Sequence, residues 1–291
     1  MNKAHHDTIF VEDARIVAHL PYPDDQYVLR VIAPECARRA VPGSFAHIRC
    51  DTDIPMRRPL SIMRANPDSG EVEFLYKIVG TGLAALSRAR EGETLSIMGP
   101  IGNGFTPDRQ RPNKLMIGGG VGIPPMVFLA EQLTEADGPD SKLVLMGSEV
   151  PFPFASADST LPVNGIDAAV NATMPELENI GVPARLASLQ NYSGCYQGYV
   201  TDLARDWLTA QDAAVVDQTE MFACGPEPML AAAASVAAKF GIPCQLCLEE
   251  YMACAVGGCA GCAVPVHTES GVAMKRVCVD GPVFAAHSIY P

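Results

Sequence analysis

The stretch Lys114-Leu115-Met116-Ile117-Gly118-Gly119-Gly120-Val121-Gly122-Ile123-Pro124-Pro125 decides the architecture of the middle of the chain. Lys114–Ile117 reads as a short apolar strand, the glycines as a tight turn, and Pro124–Glu135 as a helix that accepts proline in its first turn. Moving outward, Leu143–Met146 predicts the next strand. Thr201 predicts an N-cap for a helix through Trp207, and Glu220–Ala223 a further strand. Pro228–Phe240 reads as an Ala-rich helix closed by Gly241 and Pro243. Strands alternating with helices predict a doubly wound parallel sheet over residues 109–240. The Pro-rich stretch 150–195 predicts irregular excursions.

Residues 1–108 have a different rhythm. Short β-branched or alternating runs recur at Thr8–Val11, Tyr27–Ile32, Ala46–Cys50, Val72–Ile78 and Thr94–Met98. Turn signals such as Pro42-Gly43 and Asp68-Ser69-Gly70 separate them. Strands at this spacing predict a small antiparallel barrel or sandwich, with a helical piece at Leu83–Arg90. Residues 241–291 predict little regular structure and are too few to bury much core alone. The expected class is a multidomain α+β and α/β chain, divided at about 108 and 240.

Bulk composition narrows the function. The chain has 291 residues, a formal net charge of −12 and no block of Lys and Arg, which argues against a nucleic-acid binder. No apolar run reaches the roughly 18–20 residues a membrane span needs. The start, MNKAHHDTIFVEDA, lacks the apolar core of an export signal. Six of the ten cysteines crowd into residues 244–278. Without an export signal that reads as metal chemistry in the cytoplasm, not as a disulfide scaffold.

The crowded cysteines follow a pattern. Cys254, Cys259 and Cys262 stand at C-x4-C-x2-C spacing, with Cys278 following, the arrangement of plant-type [2Fe–2S] sites. Two irons bridged by two sulfides need four converging thiolates; a tight loop supplies three and a distant hairpin the fourth. Gly257, Gly258 and Gly261 would let amides turn toward sulfur. Zinc is the alternative, because Cys244-x2-Cys247 with Cys259-x2-Cys262 forms paired ligands; thiols buried without metal are another. On the iron–sulfur reading Cys244 and Cys247 are spectators, and Cys36, Cys50 and Cys195 are ordinary small residues.

Five further motifs carry nucleotide chemistry. Arg58-Pro59-Leu60-Ser61 offers a guanidinium fork for a pyrophosphate and a hydroxyl for a flavin ring, although a surface Arg before a turn is the bland reading of the same residues. Leu75-Tyr76-Lys77 and Gly80-Thr81-Gly82 follow, the second as a loop able to approach phosphate. Gly118–Pro125 places a helix N-terminus behind a glycine turn, but it is not GxGxxG, so dinucleotide binding by that fingerprint is unsupported. Cys224-Gly225-Pro226-Glu227-Pro228-Met229 joins a strand to a helix, and Cys224 alone reads equally as a buried core thiol.

In this order the motifs resemble the ferredoxin–NADP reductase superfamily. Leu248–Cys254, the Cys259/Cys262 loop, Val277–Phe284 and Ile97–Phe105 narrow the resemblance to the electron-transfer subunit of heteromeric, type B dihydroorotate dehydrogenase, over nearly the whole chain. The resemblance implies an FAD-binding barrel, an NAD(H)-binding second domain and a C-terminal [2Fe–2S] domain. Arg58, Pro59, Leu60, Ser61, Leu75, Tyr76, Lys77, Gly80, Thr81, Gly82 and Leu83 would serve FAD, with Thr81 standing in for the threonine the family often has where this chain has Leu83. Gly118, Gly119, Gly120, Gly122, Ile123, Pro124, Gly225, Pro226, Glu227 and Met229 would hold the nicotinamide nucleotide, with Cys224 near its ring. Cys254, Cys259, Cys262 and Cys278 would ligate iron, and Ser61 and Cys224 would stand at the reacting ends. Glu149, after the second strand, could accept from a ribose 2′-hydroxyl and favour NAD over NADP; a solvated loop residue is the competing reading.

The implied partner is an FMN-containing dihydroorotate dehydrogenase catalytic subunit, in a heterotetramer of pyrimidine biosynthesis. Two other readings stay open. One is a reductase feeding a hydrogenase, a sulfur reductase or a ferredoxin. The other is a non-catalytic zinc or iron–sulfur sensor module.

Overall fold

The structure, a computed structural model, describes residues 8–138 and 141–291. The opening residues read above for an export signal lie outside the described residues as far as residue 7. The first unit consists of β1 (Phe10–Tyr22), β2 (Gln26–Ile32), α1 (Pro34–Arg39), β3 (Phe45–Ile48), β4 (Arg58–Asn66), β5 (Glu71–Lys77), α2 (Gly80–Leu86) and β6 (Thr94–Ile101). Its strands close into an antiparallel barrel in the order β1-β2-β5-β4-β3-β6. The period-2 alternation of strands sends Ile16, Leu29, Ile48, Ile62, Phe74 and Ile97 inward. Each such side chain, fully enclosed, contributes about 1.5–3 kcal/mol of transfer free energy. The opposite parity, including Phe45, Met63 and Leu75, faces the rest of the molecule.

The second unit contains β7 (Asn113–Gly119), α3 (Ile123–Asp137), β8 (Lys142–Gly147), β9 (Ala157–Asp158), β10 (Ala172–Thr173), α4 (Pro175–Asn179), β11 (Ala184–Ser188), β12 (Tyr196–Gln197), α5 (Val200–Thr209), α6 (Ala213–Asp217), β13 (Thr219–Cys224) and α7 (Glu227–Phe240). It continues through β14 (Cys244–Cys247), β15 (Ala263–Thr268), β16 (Gly271–Arg276), β17 (Val283–Ala285) and α8 (Ala286–Ile289). A seven-stranded sheet runs β12-β11-β8-β7-β13-β14-β17, parallel except for β17, with α3 on one face and α5 and α7 on the other. This is the doubly wound sheet that the strand–helix alternation predicts.

Several local expectations change. Gly80-Thr81-Gly82 is not a loop but the first turn of α2, which ends at Leu86 rather than Arg90, where the Ser87 hydroxyl takes up the Ala84 carbonyl. Thr201 is not an N-cap. The helix already starts at Val200, whose side chain fills the space beside Gly147, and Thr201 is buried in its first turn. The stretch 150–195 hides a strand, β11, second from the sheet edge and hydrogen-bonded to β8. Residues 241–291 are more regular than expected, because β14 extends the sheet beside β13 and β17 pairs back onto β14.

The units are tied together by polar bridges. Arg64 on β4 reaches Glu131 of α3 at 2.7 Å while also pairing with Glu73 of β5 at 2.7 Å. The Gln26 amide donates to the Pro151 carbonyl at 2.8 Å, and the Asn103 side chain donates to the Val279 and Asp280 carbonyls. No helix among the described residues is long and apolar enough to cross a membrane.

Candidate functional site

The parallel strands deliver their chemistry at their C-terminal ends, where open α/β sheets bind ligands. Gly118 on β7 is the register partner of Cys224 on β13, so the two turns that follow lie side by side. They touch closely enough that a β-carbon on Gly122 would run into the Cys224 carbonyl and the Gly225 amide. Met229 fills the space above Gly119 and Gly225. Cys224 is fully buried at this seam and is the register partner of Cys247 on β14. The hydrogen bond with the Cys247 thiol, and then burial, hold the Cys224 thiol well above its ordinary range, so it stays protonated. Glu149 lies exposed two residues past β8.

A second cluster forms on the barrel. Arg58 opens β4, and its guanidinium lies over α2, 2.7 Å from where a β-carbon on Gly82 would stand. A fork of donors over a glycine in a helix's first turn suits a pyrophosphate. Ser61, three residues on, is half-buried and is the register partner of Phe45 on β3. Leu75 packs with Ile123 in the core shared with the sheet. Tyr76 points the other way, into the barrel, stacked on Tyr27 with 5.3 Å between ring centres and its hydroxyl 2.8 Å from His19 Nε2. Only the backbone of Tyr76 faces outward. Lys77 is 3.9 Å from Asp24. Thr81 and Gly80 are exposed at the start of α2.

The four cysteines converge on a loop docked against β3. Cys262 and Cys278 thiols lie 3.3 Å apart and are buried, while Cys254 and Cys259 form a second, more open pair. Ala255, Gly257 and Ala260 have φ values of 54°, 78° and 54°, the left-handed kinks that turn amides inward. The Cys259 amide donates to Cys254 Sγ and the Gly261 amide to Cys259 Sγ, each at 3.4 Å. Burial pushes the Cys254 thiol up, but the amides of Val256, Cys259 and Gly258 and the Cys259 thiol more than offset this and hold it at about 7. The Arg276 guanidinium donates to the Gly257 carbonyl at 2.9 Å and closes the loop.

Among the described residues, no three Cys, His, Asp or Glu side chains converge as a single-ion site requires. Thiols in two pairs fit a two-iron group with two terminal ligands per iron. The zinc pattern fails on geometry. Cys244 and Cys247 lie in β14 and belong to the cores on opposite faces of the sheet, so they cannot join Cys259 and Cys262 around one ion.

The comparisons agree with this geometry. The family model described as the iron–sulfur cluster binding domain of dihydroorotate dehydrogenase B matches residues 249–290. The electron transfer subunit of dihydroorotate dehydrogenase B (NAD(+)) from Geobacillus sp. (strain WCH70) is 32% identical, covering 96% of this chain and 98% of the relative. The chain belongs to this family of electron-transfer subunits. The corresponding subunit of Desulforamulus reducens is 29% identical, covering 96% of this chain and 98% of its own length. Among solved structures, the NADH-dependent reduced ferredoxin–NADP oxidoreductase studied for flavin-based electron bifurcation superimposes with a TM-score of 0.75, at 25% identity, over 96% of this chain and 90% of that one. A ferredoxin NADP+ reductase from Neisseria gonorrhoeae shares the fold, with a TM-score of 0.57 at 15% identity over 79% of this chain and 92% of that one.

The structure therefore brings the residues expected to act together into three neighbouring clusters. Arg58 meets Gly82, Gly118–Pro125 meets Cys224–Met229, and the four cysteines stand as two thiol pairs. Two contributors had no signal in the sequence. Phe45 packs in one small core with Cys262 and Cys278, forming the floor of the cysteine loop. Cys247, read as a spectator, is one for the cysteine loop but is the thiol partner of Cys224.

Proposed function

We propose that this chain is the electron-transfer subunit of a two-component dihydroorotate dehydrogenase, carrying electrons between an FMN-containing catalytic subunit and NAD through a [2Fe–2S] cluster and FAD. When bound, the three groups supply hydride chemistry at nicotinamide and flavin and single-electron chemistry at the cluster. The residues supply position. The Arg58 guanidinium would hold the FAD pyrophosphate, and the Ser61 hydroxyl would serve the flavin ring. The paired turns of Gly118–Pro125 and Cys224–Met229 would seat the nicotinamide nucleotide, with Cys224 on the strand end beside it. Glu149 accepts from the adenosine ribose and disfavours a 2′-phosphate. Cys254, Cys259, Cys262 and Cys278 hold the irons. We divide the molecule functionally into an FAD barrel, an NAD sheet that includes β14 and β17, and a cluster segment between them.

The observation that carries this reading is the register of β3 and β4. Ser61 stands directly opposite Phe45, and Phe45 packs with the buried cysteine pair. A flavin at Ser61 and a cluster on the cysteines would be separated by one strand, a short path for electrons. None of the ten cysteines is in a disulfide, which supports a reducing compartment, the cytoplasm. Co-expression with a dihydroorotate-oxidising FMN subunit should give a stable heterotetramer that reduces NAD+ at the expense of dihydroorotate. Failure to associate, or association without NAD+ reduction, would count against the assignment. Likeness to the NADH-dependent ferredoxin–NADP oxidoreductase over 96% of the chain favours one second reading, a reductase whose partner passes electrons to ferredoxin. That reading requires ferredoxin reduction by NADH with no dihydroorotate-oxidising subunit present.

A further inference from the structure

The strand that carries Arg58 and Ser61 breaks its own alternation just past Ser61. Against β5, Ile62 pairs with Phe74 and Arg64 pairs with Glu73, so Met63 is an extra residue, a β-bulge. A bulge re-aims the side chains beyond it. Strict alternation would send Arg64 into the barrel on the side of Ile62. With the bulge, Met63 joins the core shared with α3, and Arg64 also leaves the barrel and reaches α3.

Arg64 meets partners from both units there. Its Nε donates to Glu131 Oε1 on α3 and its Nη1 to Glu73 Oε1 on β5, each at 2.7 Å. Glu73 is buried, and its other oxygen accepts from Arg30 Nη2 at 2.6 Å and from Arg30 Nε at 3.0 Å. Two guanidiniums and two carboxylates balance. Glu73 fixes Arg64 on the barrel, and the rigid guanidinium fork presents its remaining donor to Glu131 in a set direction, as a flexible ammonium would not. Beside the bridge lies a cavity of about 370 Å³, lined by these four side chains and by Leu75 and Ile123. Apolar packing does not fill the interface at this point, and the ion pair spans it.

Both ends of the bridge lead to a proposed binding site. Arg64 stands three residues past Ser61 on β4. Glu131 stands eight residues, roughly 12 Å, along α3 from Ile123, where the helix leaves the glycine turn. We infer that Arg64 is a positioning residue for the flavin–nicotinamide reaction: its bridge to Glu131 sets the glycine turn of α3 over the strand that carries Ser61. The inference rests on the FAD and NAD sites proposed above. Misplacing reacting groups by about 1 Å lowers a rate by about 10²-fold, so a bridge remote from the chemistry acts through alignment.

Its test uses the full chain purified anaerobically with its cofactors, as wild type, Arg64→Met, Glu131→Ala, the double variant and Glu131→Gln. Four quantities are measured: bound FAD, the rate of flavin bleaching at saturating NADH, the NADH dissociation constant, and the long-wavelength charge-transfer absorption of stacked nicotinamide and flavin. Each of Arg64→Met and Glu131→Ala should lower the saturated rate roughly ten- to hundredfold and weaken the charge-transfer band, with FAD unchanged and the dissociation constant within about threefold of wild type. The double variant should be no worse than either single one, because the two residues act through one contact. Glu131→Gln, which still accepts from Arg64, should restore both rate and band. A wild-type rate and band in either single variant, equal losses in Glu131→Ala and Glu131→Gln, or losses that multiply in the double variant would overturn the inference. If Arg64→Met does not fold, the two substitutions at Glu131, which is only partly buried, decide the question by themselves. Wild-type flavin that NADH does not bleach would instead overturn the function proposed above.

Discussion

At the scale of single residues, the cysteines divide by the surface they touch. Changing Cys259 to Ser removes one member of the open thiol pair and should abolish the cluster while FAD stays bound, as read by iron content and the flavin spectrum. Changing Cys247 to Ser leaves the loop untouched and should leave the cluster intact, while altering the environment of Cys224. The reverse pattern would show the wrong ligands. His47, buried on β3, makes a second prediction. Burial, then Arg57 and Arg58, push its ring down to about 4 from an ordinary value of 6.5. Between those values the unfolded chain binds a proton that the folded chain refuses, so stability falls as pH drops from about 6.5 toward 4. His47→Gln should flatten that part of a denaturation-versus-pH curve, and an unchanged slope would show that His47 does not contribute to it. The two thiol pairs of the four cysteines proposed as ligands were legible from spacing, because spacing encodes a loop closing on a small object. Phe45 was not, because nothing local distinguishes a strand residue that faces the barrel from one that faces a neighbouring loop.

At the scale of elements, the two glycine-containing turns act as one device. Gly122→Ala places a methyl group against the Cys224 carbonyl and the Gly225 amide. Backbone must move to make room, at a cost of about 1–3 kcal/mol, and nicotinamide-nucleotide affinity should fall sharply while FAD and iron content hold. Titration of NADH against flavin reduction checks this. On the barrel, Arg58→Ala removes the fork over Gly82 and should weaken FAD binding by about 1.5–3 kcal/mol, the usual worth of hydrogen bonds to a charged group, measured as flavin retained on dilution. Both turns could be read in the sequence, since a glycine run between an apolar strand and a proline-started helix has few other outcomes. The first turn of α2 was read as a loop because two of its first three residues are glycine. Its helical state comes from packing Ala85 and Leu86 into the barrel, which no propensity reports.

At the scale of the whole molecule, the chain's order was legible and its closure was not. Alternating strands and helices announced the parallel sheet. Whether the first six strands form a barrel or a sandwich depends on β1 pairing with both β2 and β6, a contact between distant segments. β11 went unread inside a Pro-rich stretch, because five residues of strand look like loop until β8 supplies their partner. β14 went unread because two of its four residues are cysteines in a region where cysteine signalled metal. The consequence is functional. β14 and β17 carry the sheet on both sides of the cysteine loop, so the loop is anchored at both ends to the unit that holds Cys224, while its floor belongs to the barrel. The three proposed cofactor sites thus share walls instead of lying at the ends of linkers. The most direct test of that arrangement is anaerobic addition of NADH to the purified chain, followed by low-temperature paramagnetic resonance with metal and flavin analysis. The account predicts FAD and a two-iron cluster in equal amounts, with a rhombic signal from the reduced cluster appearing as NADH is consumed. Zinc in place of iron, or a flavin that NADH bleaches while the cluster stays oxidised, would contradict it.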